Sequence, residues 1–129
     1  MSDREIDMSA EIFYDNLDST GGEPIRVLAR VSVLRTEDGG RKGPFTKGYR
    51  PNHNFGPPDN RFFFIGQIEV PEGTWIYPGE THDLIITFLN VRGLAEKLSV
   101  GRVWRIQEGS KLVATAEVLS VQNNERNEI

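Results

Sequence analysis

The chain contains no cysteine and only two histidines, and this scarcity excludes several kinds of site. Without cysteine there is no disulfide framework, no thiolate metal site and no cysteine nucleophile. The two histidines, His53 and His82, are not at the close spacing of a ligand pair, so we expect neither a metal site nor a cofactor. A cysteine-free composition fits a reducing compartment, and we expect the protein to be cytoplasmic.

Long apolar runs are also missing. No run approaches the roughly 20 residues needed to cross a bilayer, and the acidic N-terminus lacks the apolar segment of a secretory signal. We therefore expect no contact with a membrane. A chain of 129 residues is long enough for one domain with a single core.

The sequence lacks the motifs of common enzymes. It contains no G-x-S-x-G, no H-E-x-x-H and no G-x-x-x-x-G-K-[ST] phosphate loop. Gly39-Gly40-Arg41 lacks the lysine and hydroxyl that such a loop needs at fixed offsets. Adjacent acids such as Glu37-Asp38 are more typical of a solvated turn than of a catalytic pair. We expect no catalytic residues, no GTP binding and no enzymatic activity.

Charge is distributed unevenly along the chain. The formal net charge is −4, yet residues 1–24 carry seven acids and one base, and residues 25–121 carry thirteen bases and ten acids. An acidic extension therefore conceals a mildly basic body, and the total charge is a poor guide to partners.

Short alternating segments between glycine and proline turns predict an all-β protein. Residues 25–35 place Ile25, Val27, Ala29, Val31 and Val33 on one face, and residues 61–70 place Phe62, Phe64, Ile68 and Val70 on one face. Further strands are predicted at 75–77, 83–90, 101–107 and 111–121, the last two as a hairpin, while helix is limited to one turn at 93–98.

Five or six antiparallel strands in about 100 residues favour a small closed barrel or a sandwich. We expect three parts: an acidic N-terminal extension at 1–24, the β-domain at 25–121 and a polar C-terminal tail at 122–129. Whether residues 4–17 form a weak helix or a loosely attached strand stays open.

The segment 41–61 is the most basic part of the chain. It has five bases against one acid, a net of +4, with Phe45, Tyr49 and Phe55 placed between the bases. Local positive charge of this kind can bind a phosphate backbone. Composition alone favours a solvated loop over a binding site for these bases, and residues 62–64 are more typical of a core than of a base-stacking platform.

The segment from Gly39 to Pro51 reads G-G-R-x-x-P-F-x-x-G-Y-R-P, segment 71–80 begins P-E-G and ends P-G-E, and segment 105–109 reads R-I-Q-E-G. In this order the three motifs resemble the C-terminal (third) domain of the bacterial translation factor elongation factor Tu, in which the second motif is P-E-G…P-G-D and the third is A-I-R-E-G-G. The similarity covers roughly residues 25–121. It implies a closed antiparallel β-barrel of about six strands with no catalytic residues.

The resemblance also implies partners. In that family the domain packs against the GTPase domain and contacts the T stem of aminoacyl-tRNA and the nucleotide-exchange factor. Here the matching region stands without a GTPase domain, so we expect a binding module that contacts tRNA, weakly, or a protein that recognises elongation factor Tu. The expected contact residues are Arg41, Lys42, Lys47, Arg50, Asn52, His53 and Gly109.

A second hypothesis belongs to a different class. The acidic extension and the departures from the family pattern at Asn90, Gln107 and residues 52–54 favour a decoy, immunity or regulatory protein. Such a protein would mimic the third domain toward a protein partner without binding RNA.

Overall fold

The computed structural model describes residues 22–56 and 63–122. Residues 1–21 of the acidic extension, Phe62 and residues 123–129 of the tail lie outside these ranges, as do the expectations that concern them. Within the described residues, six antiparallel strands close into a barrel, as predicted. They are β1 Ile25–Val33, β2 Asn52–Asn54, β3 Phe64–Glu69, β4 Thr81–Phe88, β5 Val103–Glu108 and β6 Lys111–Gln122.

The strands follow one another around the barrel in the order β1-β4-β3-β2-β5-β6, and β6 pairs back with β1. Alternation decides which side chains enter the interior, because successive side chains of a strand point to opposite faces. Val27, Ala29 and Val31 of β1 are fully buried, whereas Arg26 and Arg30 are exposed. The interior is completed by large side chains from the other strands and loops, including Ile68, Ile76, Ile86, Phe88, Leu94, Trp104 and Ile106.

Helical structure is limited to two short 3₁₀ turns among the described residues, Thr36–Asp38 and Ala95–Lys97. The second lies within the single turn predicted at 93–98. The predicted strand at 75–77 is reduced to an isolated bridge between Ile76 and Phe45. Within the ranges described, no helix is long and apolar enough to cross a membrane.

Strand β2 is not predicted by the sequence, because Asn52-His53-Asn54 lacks apolar alternation. Its polar side chains find partners inside the fold instead. The Asn54 side-chain amide donates to Gln107 Oε1 at 2.8 Å, and Asn54 Oδ1 accepts from the backbone N–H of Gly56 at 2.8 Å. Buried polar groups are tolerated when they are paired in this way.

The topology gathers the three motifs at one end of the barrel. β1 and β3 end there, β4 begins there, and the β5–β6 hairpin turns there, as the pairing of Ser32 with Thr81 and of Glu108 with Lys111 requires. We call this the motif end; its segments are 34–51, 70–80 and 109–110. At the opposite end lie segment 89–102, the start of β1 and the end of β6, where Arg26 pairs with Gln122.

Candidate partner-binding site

The loop that follows β1 is shaped by two glycines with different requirements. Gly39 ends the turn Thr36–Asp38 in the left-handed region, with φ of 98°. Gly40 needs space instead, since a Cβ there would lie 2.5 Å from the carbonyl oxygen of Leu34. Gly39 and Gly40 together form the bend that leads to Arg41, and the Thr36 hydroxyl fixes this bend by donating to the Arg41 carbonyl at 2.6 Å.

Arg41 is held against two aromatic rings. The Phe45 and Tyr49 rings stack with centroids 4.2 Å apart, and Arg41 Cζ lies 5.1 Å from the Tyr49 centroid and 5.9 Å from that of Phe45. A guanidinium at these distances is attracted by the negative face of an aromatic ring. We refer to Arg41, Phe45, Tyr49 and Glu108 as the Arg41 cluster.

Glu108, at the end of β5, joins the cluster through its carboxylate. Oε2 accepts hydrogen bonds from the Tyr49 hydroxyl and from Arg41 Nη1, the latter at 3.4 Å. Arg41 Nε lies 3.3 Å from the same oxygen, at ion-pair distance but without hydrogen-bond alignment. Burial, together with the hydrogen bond and the charge of Glu108, raises the pKa of Tyr49 far above its ordinary value, so the phenol stays a donor.

The bond between Tyr49 and Glu108 should contribute measurably to stability. In a double-mutant cycle with Tyr49→Phe and Glu108→Gln, we expect a coupling of about 1 kcal/mol in the free energy of unfolding, because the bond is charge-assisted and partly shielded. Phe keeps the ring that stacks on Phe45. Urea unfolding of the four proteins measures the coupling.

The matched control is the exposed ion pair of Lys47 and Glu72, whose side chains are 65% and 84% exposed. Its cycle should give a coupling of at most about 0.5 kcal/mol, as is usual for surface pairs. Equal couplings in the two cycles would contradict the view that the bond between Tyr49 and Glu108 stabilises the cluster more than an exposed ion pair does.

Tertiary ion pairs change the charge expected from segment 41–61. Glu108 neutralises Arg41, and Glu72 lies 3.5 Å from Lys47. Both acids come from other motifs, 67 and 25 positions along the chain. The net of +4 counted along the segment is therefore not the charge that the motif end presents.

The remaining expected contact residues are spread over two surfaces. Lys42 is exposed beside Arg41, and Gly109 is exposed in the β5–β6 turn with φ of 61°. Asn52 lies in β2, between Ile65 and Gln107. Arg50 is exposed and lines a surface cavity of about 280 Å³ on the outer face of β3 and β4, where Gln67, Glu69 and Thr87 also contribute.

The expectation that His53 contacts a partner is wrong, because its side chain is fully buried. Trp104 Nε1 donates to His53 Nδ1 at 3.0 Å, so Nε2 carries the proton and donates to the Gly66 carbonyl, also at 3.0 Å. Burial lowers the pKa of His53 to about 4. This histidine is thus a neutral structural residue that links β2 with β3 and β5.

No protein-family model matches the chain. Function is therefore inferred from the geometry of the motif end and from the motifs themselves. Among the residues that the structure describes, no group of three or more His, Cys, Asp or Glu side chains could hold a metal ion. What the motif end offers is a rigid, partly aromatic surface with internally paired charges.

Glu108 and Glu72 are not among the contact residues expected from the sequence. Both stand in the quoted motifs, next to Gly109 and in Pro71-Glu72-Gly73. Their meeting with Arg41 and Lys47 depends on barrel closure, which spacing along the chain does not reveal.

Proposed function

We propose that the protein is a non-catalytic binding module, similar to the third domain of elongation factor Tu, whose motif end binds a protein that recognises that factor. The observation that carries the proposal is the Arg41 cluster. It holds the most distinctive motif residues in a fixed arrangement, and its charges are balanced within the chain. The cysteine-free composition supports a cytoplasmic setting.

Charge balance favours a protein over RNA as the partner. Affinity for a phosphate backbone comes largely from cations that neutralise phosphates. Arg41 and Lys47 already face carboxylates, so binding RNA would require these pairs to be broken or shared. Protein interfaces, in contrast, commonly place paired charges around a less polar centre.

Binding to tRNA is the second candidate, favoured by the exposed Lys42 and Arg50 at or near the motif end. A decoy or regulatory protein that mimics the third domain would use the same surface as the main proposal. It differs in its biological consequence, which is competition with elongation factor Tu rather than participation in translation.

The test compares three immobilised probes: the nucleotide-exchange factor of elongation factor Tu, the isolated GTPase domain of that factor, and aminoacyl-tRNA. We expect saturable binding to one of the two proteins. Lys42→Glu should weaken this binding by about tenfold, since it reverses a charge beside the Arg41 cluster. Biolayer interferometry at several salt concentrations measures affinity and association rate.

Arg92→Glu is the matched control, because Arg92 is an exposed cation at the opposite end of the barrel. It should leave binding unchanged. Equal weakening by both reversals would indicate a nonspecific charge effect and count against the motif end. Binding to aminoacyl-tRNA alone, with a steep salt dependence, would replace the proposal by its RNA alternative.

A further inference from the structure

The loop between β3 and β4 carries two large aromatic side chains that the fold leaves uncovered. Trp75 and Tyr77 are each 51% exposed, whereas Ile76 between them is 1% exposed. In extended backbone, neighbours at positions i and i+2 point to the same side. Burying Ile76 in the core therefore turns both aromatic rings outward together.

This aromatic pair is held firmly in place. The backbone of Ile76 exchanges two hydrogen bonds with Phe45, of 3.0 and 2.9 Å, which ties the loop directly to the Arg41 cluster. The Tyr77 N–H donates to Glu80 Oε1 at 3.0 Å, and the Tyr77 carbonyl accepts from the Glu80 N–H at 3.1 Å. A preorganised aromatic surface loses little conformational entropy when it binds.

Lys47 and Arg35, which both contact this loop, already face carboxylates. Lys47 is paired with Glu72, at the start of the same loop. Arg35, whose side chain passes next to Gly79, is paired with Glu37 and Asp38 at 3.3 Å each. Single-stranded nucleic acid would need cations beside the rings to neutralise its phosphates. An aromatic pair whose neighbouring cations already face carboxylates instead suits an apolar protein surface.

We propose that Trp75 and Tyr77 are the apolar anchor of the protein interface at the motif end, received by an apolar concave surface of the partner. The Lys47–Glu72 pair and the Arg35 pairs form its polar rim. This inference rests on the proposed function and adds the residues that supply most of the affinity, since interface hot spots are enriched in Trp and Tyr. Its continuity with the Arg41 cluster comes from the Phe45–Ile76 bridge.

The test uses the two protein probes named above, the exchange factor and the isolated GTPase domain, with the full chain. Trp75→Ala and Tyr77→Ala should each weaken binding by about tenfold or more, mainly through faster dissociation. Val103→Ala is the matched control: Val103 is 57% exposed but lies at the opposite end of the barrel, and its variant should bind like the parent protein. Urea unfolding checks that all three variants remain folded.

Tryptophan fluorescence gives a second measurement of binding, in the parent protein and without removing either aromatic side chain. The chain has two tryptophans, of which Trp104 is buried. Binding should therefore shift the emission of Trp75 to shorter wavelength as its ring leaves water. The shift should be lost in Trp75→Phe.

The outcomes separate this inference from the function on which it rests. If Lys42→Glu weakens binding and the aromatic variants do not, the anchor is overturned while the binding function stands. If neither protein probe binds, both are overturned. A dimer in light scattering that Trp75→Ala converts to monomer would overturn the inference in favour of a second copy, and tRNA binding lost with Trp75→Ala would overturn it in favour of RNA.

Discussion

Acidification from neutral pH to about pH 4 is expected to destabilise the barrel by about 3 kcal/mol through His53 alone. This side chain is fully buried, and protonation would turn the acceptor Nδ1 into a second donor facing the Trp104 N–H. Protonation would therefore place a charge in the core and remove the hydrogen bond from Trp104, and both changes lower the stability of the folded state.

The direction follows from proton binding in the two states. The ordinary pKa of 6.5 applies to the unfolded chain, and the folded value is about 4. Between these values the unfolded state binds a proton that the folded state does not. Stability is therefore full above the ordinary value, falls as the pH drops through the interval, and stops falling once the folded histidine is also protonated.

His53→Gln provides the test, because Gln retains a donor and an acceptor but does not titrate in this range. The free energy of unfolding of this variant should fall less between neutral pH and about pH 4 than that of the parent protein. This difference is expected whatever the stability of the variant at neutral pH. Urea unfolding across this pH range gives the curves. Parallel curves for the parent and His53→Gln would show that another group takes up the proton.

Gly40→Ala should lower the free energy of unfolding by about 2–3 kcal/mol, because the added methyl group has no room. A Cβ at this position would meet Leu34 O at 2.5 Å, Leu34 C at 2.9 Å and Arg35 O at 3.0 Å. These are backbone atoms, which cannot rotate away as a flexible side chain would. Relief would require the loop to move and so to displace Arg41.

Gly43→Ala is the matched control in the same loop. A Cβ there meets no atom within 4 Å, and the residue does not have a positive φ. We expect a change between zero and a gain of about 1 kcal/mol, since alanine restricts the unfolded chain. Thermal or urea unfolding measures both variants. A Gly40→Ala protein as stable as Gly43→Ala would mean that the loop adapts and that Gly40 is not a steric requirement.

The barrel could be predicted from the sequence where a strand has one apolar face. β1 and the β5–β6 hairpin follow this rule, and their inward residues, such as Val27 and Ile106, are buried as alternation requires. β2 departs from it because its core position is occupied by His53, whose polarity is satisfied by Trp104 and Gly66. Composition gives no sign that a histidine has such partners.

The candidate site could be predicted in part. The motif residues, including Arg41 and Gly109, do meet at one end, since strand order brings the loops there. The charge of that end could not be predicted by counting along the chain, because Glu108 reaches Arg41 only through barrel closure. Exposure of Trp75 and Tyr77 also depends on the tertiary fold, since it follows from the bridge that buries Ile76.

The adjacency of Arg26 and Gln122 determines how the barrel responds to mechanical force. β1 and β6 are antiparallel neighbours, and the chain enters the one and leaves the other at the same end. When force is applied to the chain before β1 and after β6, the backbone hydrogen bonds between these two strands are loaded one after another, as in unzipping. They are not loaded all at once, as they would be in shear. The seam between β1 and β6 would open first, from the end farthest from the Arg41 cluster, so tension would reach the motif end last.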